Sequence, residues 1–307
     1  MRERDAEARA RVAGGAAALV WRDMVADTET PVSAALKLFG EGRGDFILES
    51  VEGGSVRGRY SLIGLAPDLV FRAREGSAAL NRCWQSDADA FEPLAGDPLT
   101  ELRTLVASCR IELPPGLPPV LACLVGYFGY ETVGLVETLP RPPANPLDLP
   151  DMLFVRPTVI LVFDRLADRL FVAAPVWVGN RVDDAIDRIE AAMAMLAAPL
   201  QVGHTRTSSA LIPSEAAPWE PALEPGRYAD MVARAKAYIV AGDVFQVVLA
   251  QRFTMAFTLP PFDLYRALRR INPSPFLYHL DLPGFTLTGS SPEILVRARD
   301  GEVTIRP

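Results

Sequence analysis

The sequence has few of the residues that most often carry metal or redox chemistry. It contains three cysteines and two histidines in 307 residues. Cys83, Cys109 and Cys123 share no close spacing, so they predict neither a disulfide framework nor a paired-cysteine metal site. His204 lies in a polar segment and His279 in an expected strand, each without a partner nearby in sequence. These absences argue against a metal centre built on these residues and favour a reducing compartment.

Other common signatures are also absent. No apolar run approaches the length of a membrane span, and the start of the chain lacks the pattern of a signal peptide. There is no Walker motif and no nucleophile elbow, and the glycines at 126 and 129 do not form a dinucleotide fingerprint. The formal net charge of −7 argues against nucleic acid or an anionic membrane as a partner. We therefore expect a soluble cytoplasmic protein with neither of these partners.

The composition is that of a globular protein with a sizeable core. Half of the residues are hydrophobic and 22% are charged. Strand patterns are interleaved with helical patterns without strict alternation, which predicts an α+β fold. We expect a flexible extension at residues 1–18, an N-terminal domain at 19–196, a linker at 197–225 and the start of a second domain at 226–307.

The chain ends within a strand pattern. Residues 293–299 and 302–306 alternate apolar and polar side chains around Asp300-Gly301, a dipeptide that strongly favours a two-residue hairpin. Natural termini are usually surface tails. This pattern predicts that the 307 residues are the front part of a larger protein.

The first informative motif is a predicted strand that ends in polar residues. Glu49 and Ser50 close the run from Ile47, and Gly53-Gly54 follow them. The plain interpretation is strand, glycine turn and strand. The functional interpretation is that a carboxylate and a hydroxyl at the strand end hold an ammonium or amide group of a small ligand.

The second motif is proline-rich. Each proline in Asn272-Pro273-Ser274-Pro275 disfavours helix at the residue before it, and neither can donate to a sheet. The plain interpretation is a helix stop leading into a strand. The functional interpretation makes this segment, with Phe276 and Leu277, one wall of a pocket for an apolar or aromatic ligand.

A third segment, Val244–Phe257, is rich in β-forming residues. It is predicted to place Gln246 in a buried strand, where its amide needs hydrogen-bonding partners. A structural role for this glutamine is favoured over a binding role.

Together these segments resemble component I of anthranilate synthase, the large subunit of a chorismate-using enzyme of tryptophan biosynthesis. Several long motifs in the right order make the resemblance specific. It begins near Val20 and covers residues 27–33, 47–64, 121–131 and 228–307.

The resemblance implies a two-sheet α+β sandwich with outer helices, incomplete at its C-terminal end. It implies a lyase that converts chorismate and ammonia to anthranilate and pyruvate, with Mg²⁺ as cofactor and ammonia supplied by a glutamine amidotransferase, component II. It further implies feedback inhibition by L-tryptophan. The inhibitor site carried over to this sequence comprises Glu49, Ser50, Asn272, Pro273, Ser274, Pro275, Phe276 and Leu277.

The catalytic and magnesium-binding positions of the family fall after Pro307, so the resemblance implies that these 307 residues alone are inactive. The alternatives are the large subunit of aminodeoxychorismate synthase and a non-catalytic tryptophan-binding module. The polar strand end at Glu49-Ser50, followed by Arg59-Tyr60-Ser61, favours anthranilate synthase over the first alternative.

Overall fold

The structure is a computed structural model that describes residues 2–52, 56–114, 116–118, 121, 124–138, 144–200, 218–299 and 301–305. The chain forms two compact units: Met1–Leu200 together with Pro261–Pro307, and Gln201–Pro260. The expected linker at 197–225 lies largely outside the described residues. The expected second domain at 226–307 is divided between the two units, because the chain from Pro261 onward returns to the sheet formed by the first half.

The first unit contains most of the helices and strands. Its helices are α1 Arg2–Ala13, α2 Pro31–Leu38, α3 Pro98–Ser108, α4 Val182–Ala197 and α6 Pro261–Ile271, with a 3-10 turn at Tyr130–Leu135. Its strands are β1 Ala18–Val25, β2 Phe46–Glu52, β3 Val56–Leu65, β4 Leu69–Arg74, β5 Ser77–Asn81, β6 Glu92–Pro93, β7 Val125–Phe128, β8 Met152–Arg156, β9 Val159–Asp164, β10 Arg169–Val176, β13 Phe276–Leu282, β14 Phe285–Ser291, β15 Arg297–Arg299 and β16 Glu302–Thr304. The second unit contains α5 Arg227–Ala241, β11 Glu220–Pro221 and β12 Phe253–Thr254.

Two packed antiparallel sheets form the core of the first unit, and the α+β prediction is confirmed. A large sheet has the order β1-β10-β9-β3-β2-β13-β14, and a small sheet has the order β6-β5-β4-β8-β7. Phe46 and Leu280 of the large sheet form one buried cluster with Val70 and Leu153 of the small sheet. The two sheets therefore pack face to face, as in a sandwich.

Helices cover the outer faces of this sandwich. The far side of the large sheet, which includes Ile47 and Leu161, packs on α2, α4 and α6 through residues such as Ile189 and Tyr265. The small sheet packs on α3 in the same way. Both α2 and α3 begin at a side-chain cap followed directly by proline, since Thr30 bonds the Ser33 amide and Asp97 bonds the Leu99 amide.

The N-terminal segment differs from the expected flexible extension, because residues 2–13 form α1. Ala8 is buried in the core behind the large sheet. The Asp5 carboxylate accepts two hydrogen bonds from Arg22 on β1, at 2.8 and 2.9 Å, and both side chains are nearly buried. A bidentate pair of this kind fixes the helix on the strand. Because the helix has only a weak apolar pattern, its contact with β1 could not be predicted from the sequence.

The segment Val244–Phe257 also differs from its prediction. Only β12 is a strand there, and Gln246 is exposed instead of buried. The sequence of residues 120–127 is almost entirely apolar, which is typical of a buried strand. Residues 120, 122 and 123 lie outside the described residues, and Val125–Phe128 form β7, a half-buried edge strand of the small sheet.

Glycine determines two turns, and the predicted hairpin is confirmed. Helix α5 ends at Gly242 in the left-handed conformation (φ 81°). The hairpin around Asp300-Gly301 forms from β15 and β16, with Arg299 opposite Glu302 and Gly301 at φ 81°. Residue 300 itself lies outside the described part of the chain.

Candidate functional site

The two polar motifs of the sequence lie side by side on neighbouring strands. β2 pairs antiparallel with β13, and Leu277 lies directly opposite Glu49. The end of β2 thus meets the start of β13, although more than 200 residues separate them in sequence. Of the residues expected at the site, the structure brings Glu49 and Ser50 beside Phe276 and Leu277 in the large sheet.

The alternation of strand side chains divides these four residues between two faces. Glu49 and Leu277 face α6, and both are buried. Ser50 and Phe276 follow the opposite alternation, and Phe276 is 37% exposed. The accessible part of the site therefore comprises Ser50 and Phe276, with Glu49 and Leu277 behind them.

Ser50 occupies an irregular point of the ladder. The register of β2 against β3 shifts between Glu49 and Val51, and such bulges redirect side chains near functional sites. Gly58 of β3 packs directly on Ser50, since a Cβ on this glycine would lie 2.4 Å from the serine Oγ. The backbone approaches Ser50 so closely that the hydroxyl is held in place on one side.

The proline segment connects α6 to β13 as an irregular stretch, as predicted. The carbonyl of Asn272 accepts a hydrogen bond of 2.7 Å from the Ser290 hydroxyl on β14. Ser274 is buried, whereas Pro273 and Pro275 are half-buried. The segment is therefore fixed to the sheet at Asn272 and leaves its proline rings partly accessible beside Phe276.

Behind this surface, the Glu49 carboxylate is the centre of a buried ionic cluster. Arg269 of α6 donates to Oε2 at 2.5 Å and to Oε1 at 3.0 Å. Tyr265 donates to Oε2 at 2.7 Å, and Arg165, after β9, donates to Oε1 at 2.6 Å. Arg165 also donates to the Ser61 hydroxyl at 3.1 Å. The side chain of Glu49 is only 2% exposed, so these bonds replace water almost completely.

The cluster shifts the pKa values of its members so that Glu49 and Arg269 stay charged and Tyr265 stays neutral. Burial alone would raise the pKa of Glu49, but the hydrogen bond and charge of Arg269, with Tyr265 and Arg165, hold that pKa below its usual value. Burial raises the pKa of Tyr265, and the adjacent carboxylate raises it further. Burial lowers the pKa of Arg269, but Glu49 more than compensates. Glu49 is thus a carboxylate, and Tyr265 remains a neutral donor.

This arrangement corrects the expected role of Glu49. Both of its oxygens already accept hydrogen bonds from the protein, so the carboxylate does not face an incoming ammonium group. Glu49 instead connects the end of β2 to α6 and to the connection after β9. Sequence reasoning did not identify Arg165, Tyr265 or Arg269. Tyr265 and Arg269 are four residues apart on α6, and this spacing was the one local sign that both lie on the same face of the helix.

His279 lies near this cluster in an aromatic setting. Its ring is 5.1 Å from that of Phe262, 5.8 Å from that of Tyr265 and 6.1 Å from that of Phe39. Its Nδ1 is 2.8 Å from the Thr288 hydroxyl, a partner that the sequence did not indicate. Burial lowers the pKa of His279 to about 4. The imidazole is therefore neutral at physiological pH and packs as an aromatic ring.

Neither a metal cluster nor a membrane helix is found in the described part of the chain. Within those residues, no group of three or more His, Cys, Asp or Glu side chains could hold a metal ion. Mg²⁺ therefore stays an expectation from the resemblance. No helix within the described ranges has both the length and the apolar character needed to cross a bilayer.

Sequence comparison connects this fold to known proteins. Residues 47–307 match the family model described as chorismate binding enzyme. Anthranilate synthase component 1 of Cereibacter sphaeroides is 44% identical over 306 residues, which cover 94% of this chain and 58% of that protein. The protein of the same description from Pseudomonas aeruginosa is 38% identical over 296 residues, covering 93% and 58%. The chain thus spans less than two thirds of the length of these relatives.

Structural comparison agrees with the sequence. Anthranilate synthase component I from Streptococcus pneumoniae superposes with a TM-score of 0.68 at 25% identity, covering 91% of this chain and 59% of that one. The menaquinone-specific isochorismate synthase of Escherichia coli shares the fold, with a TM-score of 0.51 at 12% identity, over 97% and 57% of the two chains.

Proposed function

Because the chain belongs to the chorismate-binding enzyme family, we propose that it is the front part of an anthranilate synthase large subunit. In this proposal the whole protein is a cytoplasmic lyase that converts chorismate and ammonia to anthranilate and pyruvate. The observation that carries the proposal is the 44% identity over 94% of the chain to a protein of that description.

Two further parts of the proposal concern the whole protein. A glutamine amidotransferase subunit supplies the ammonia, and Mg²⁺ acts together with residues outside this sequence. The catalytic positions carried over by the resemblance are not among the 307 residues. We therefore expect the purified 307-residue chain to make no anthranilate by itself.

The third part of the proposal is feedback inhibition by L-tryptophan at the site where β2 meets β13. Half-buried Ser50, the half-buried ring of Pro275 and the exposed ring of Phe276 support it, because they combine one polar group with an apolar wall. Glu49 acts here as a positioning residue. It holds the end of β2 against α6, so that Ser50 keeps its place.

Replacing Ser50 with phenylalanine is expected to abolish inhibition by tryptophan while anthranilate formation continues. The new ring would occupy the space beside Pro275 and Phe276 that the ligand needs. The measurement uses a chimera in which residues 1–307 are followed by the remaining C-terminal part of the Cereibacter sphaeroides relative. Anthranilate fluorescence is followed with increasing tryptophan.

The matched control is Ser108→Phe, since Ser108 ends α3 on the small sheet and lies outside the proposed inhibitor site. That chimera should stay sensitive to tryptophan. If Ser50→Phe leaves the inhibition curve unchanged in an active chimera, the inhibitor site is not at the end of β2.

A further inference from the structure

A cavity between the small sheet and the β13–β14 turn has the composition of a second ligand site. Its volume is about 460 Å³, within the range of small-molecule sites. Trp84 and Phe91, from the connection after β5, and Phe285, at the start of β14, provide aromatic walls, with Leu149 beside them. β13 spans six residue steps, so this turn lies about 20 Å from the end that carries Phe276. The cavity is therefore separate from the site at Ser50.

The aromatic walls are held in fixed positions. The Trp84 indole N–H donates to the carbonyl of Arg43 at 2.9 Å, so its polar atom is already satisfied. The ring of Phe285 packs edge-on against Tyr127 at 5.8 Å, and the Tyr127 hydroxyl donates to the carbonyl of Pro150 at 2.6 Å. A ligand entering the cavity would therefore meet preformed apolar surfaces.

Arg72 supplies a positive charge inside this cavity. Its guanidinium lies 3.8 Å from the ring centre of Phe91 and is half-buried on β4. Among the described residues, Arg72 has no carboxylate and no hydrogen-bond acceptor as a partner. The other charged residues that line the cavity are paired or solvated: Arg74 pairs with Asp148, and Asp89 is exposed to solvent. The N–H groups of Arg72 are thus available to a planar anion.

A second cavity of the same volume has a different arrangement of charges. That cavity, between α1 and β1, is lined by Arg4, Arg11 and Arg169. Each of these three arginines is paired with a carboxylate, on Asp23 or Glu112. The positive charges of this second cavity are therefore neutralised by carboxylates of the protein, and we do not expect it to bind an anion.

We propose that the cavity lined by Arg72, Trp84, Phe91 and Phe285 binds a planar ring carboxylate. The ring lies between the aromatic walls, and its carboxylate accepts hydrogen bonds from the Arg72 guanidinium. The guanidinium lies over the ring of Phe91, a contact that holds it at the cavity. This site is independent of the proposed catalytic function and of the proposed inhibitor site.

The test is calorimetric titration of the 307-residue chain with 2-naphthoate. We expect saturable binding with a Kd at or below about 1 mM, as the size of this probe allows. Arg72→Gln should weaken binding by about 10-fold or more, because a charge-assisted hydrogen bond is lost. Arg82→Gln, a change at an exposed arginine nearby that does not line the cavity, should leave the Kd within about twofold.

A neutral probe keeps the test independent of folding effects in the variant. 2-Naphthamide should bind the unchanged chain about as weakly as 2-naphthoate binds Arg72→Gln. Ser50→Phe should leave 2-naphthoate binding unaltered. The proposal is overturned if 2-naphthoate does not bind at several millimolar, if Arg72→Gln binds it undiminished, or if Ser50→Phe abolishes the binding.

Discussion

Glu49→Gln is expected to destabilise the 307-residue chain by about 3–5 kcal/mol, the range measured when one partner of a buried ion pair is removed. The amide keeps the shape of the side chain but loses the charge that neutralises Arg269 and Arg165. Those guanidiniums are mostly buried, with side-chain exposures of 14% and 21%, so water cannot replace the carboxylate fully. Urea unfolding followed by circular dichroism measures the change in free energy of unfolding.

The chain provides a matched control for this prediction at Asp23. This carboxylate also bonds two arginines, Arg4 and Arg169, but their side chains are 43% and 45% exposed. Asp23→Asn should therefore cost no more than about 1 kcal/mol. Equal losses at Glu49 and Asp23 would show that the buried cluster does not hold β2 on α6.

The second large effect is a loss of stability in acid that depends on His279. Its pKa is about 4 in the folded chain, against an ordinary value of 6.5. Between these two pH values the unfolded chain binds the proton and the folded chain does not. Stability therefore falls as the pH falls from 6.5 to 4, by roughly 3 kcal/mol if this residue acts alone.

The variant His279→Phe isolates that contribution, because phenylalanine keeps a ring among Phe39, Phe262 and Tyr265 without a titratable group. Unfolding free energies measured at pH 7 and pH 5 should differ less in this variant than in the unchanged chain. Glu49 does not contribute to the difference between pH 7 and pH 5, because its lowered pKa makes its stabilisation disappear only below about pH 4.5. The same pH dependence in both proteins would mean that the buried imidazole is not the cause.

The sequence predicted the local elements better than their positions in space. The sequence of α3 has leucines at helical spacing after Pro98, and the sequence of α5 is followed directly by Gly242, so both helices show their ends locally. The pairing of β2 with β13 was not predicted from residue patterns, because it depends on packing across more than 200 residues. Helix α1 was missed because most of its contacts are ion pairs, such as the bidentate Asp5–Arg22 pair. Its apolar contacts are few, namely Ala8 and Val12, and they produce no apolar stripe.

At the candidate site, the sequence identified the segments but not the roles of their side chains. A polar strand end and a rigid proline segment indicated a small-molecule site, and the structure brings the two together. In the structure, Glu49 and Ser50 lie on opposite faces of the sheet. The register shift between Glu49 and Val51 is a tertiary feature, so the sequence alone did not show which face each side chain would take. The partners of Glu49 come from α6 and from the connection after β9, so only the tertiary structure shows that its carboxylate is already occupied.

The most direct test of the proposed function is anthranilate formation by the chimera that joins residues 1–307 to the C-terminal part of the Cereibacter sphaeroides relative. With chorismate, ammonium and Mg²⁺, the chimera should produce the fluorescence of anthranilate, whereas the 307-residue chain alone should produce none. A chimera that is soluble and unfolds cooperatively but forms no anthranilate would contradict the account. Anthranilate formation by the purified 307-residue chain alone would contradict it equally.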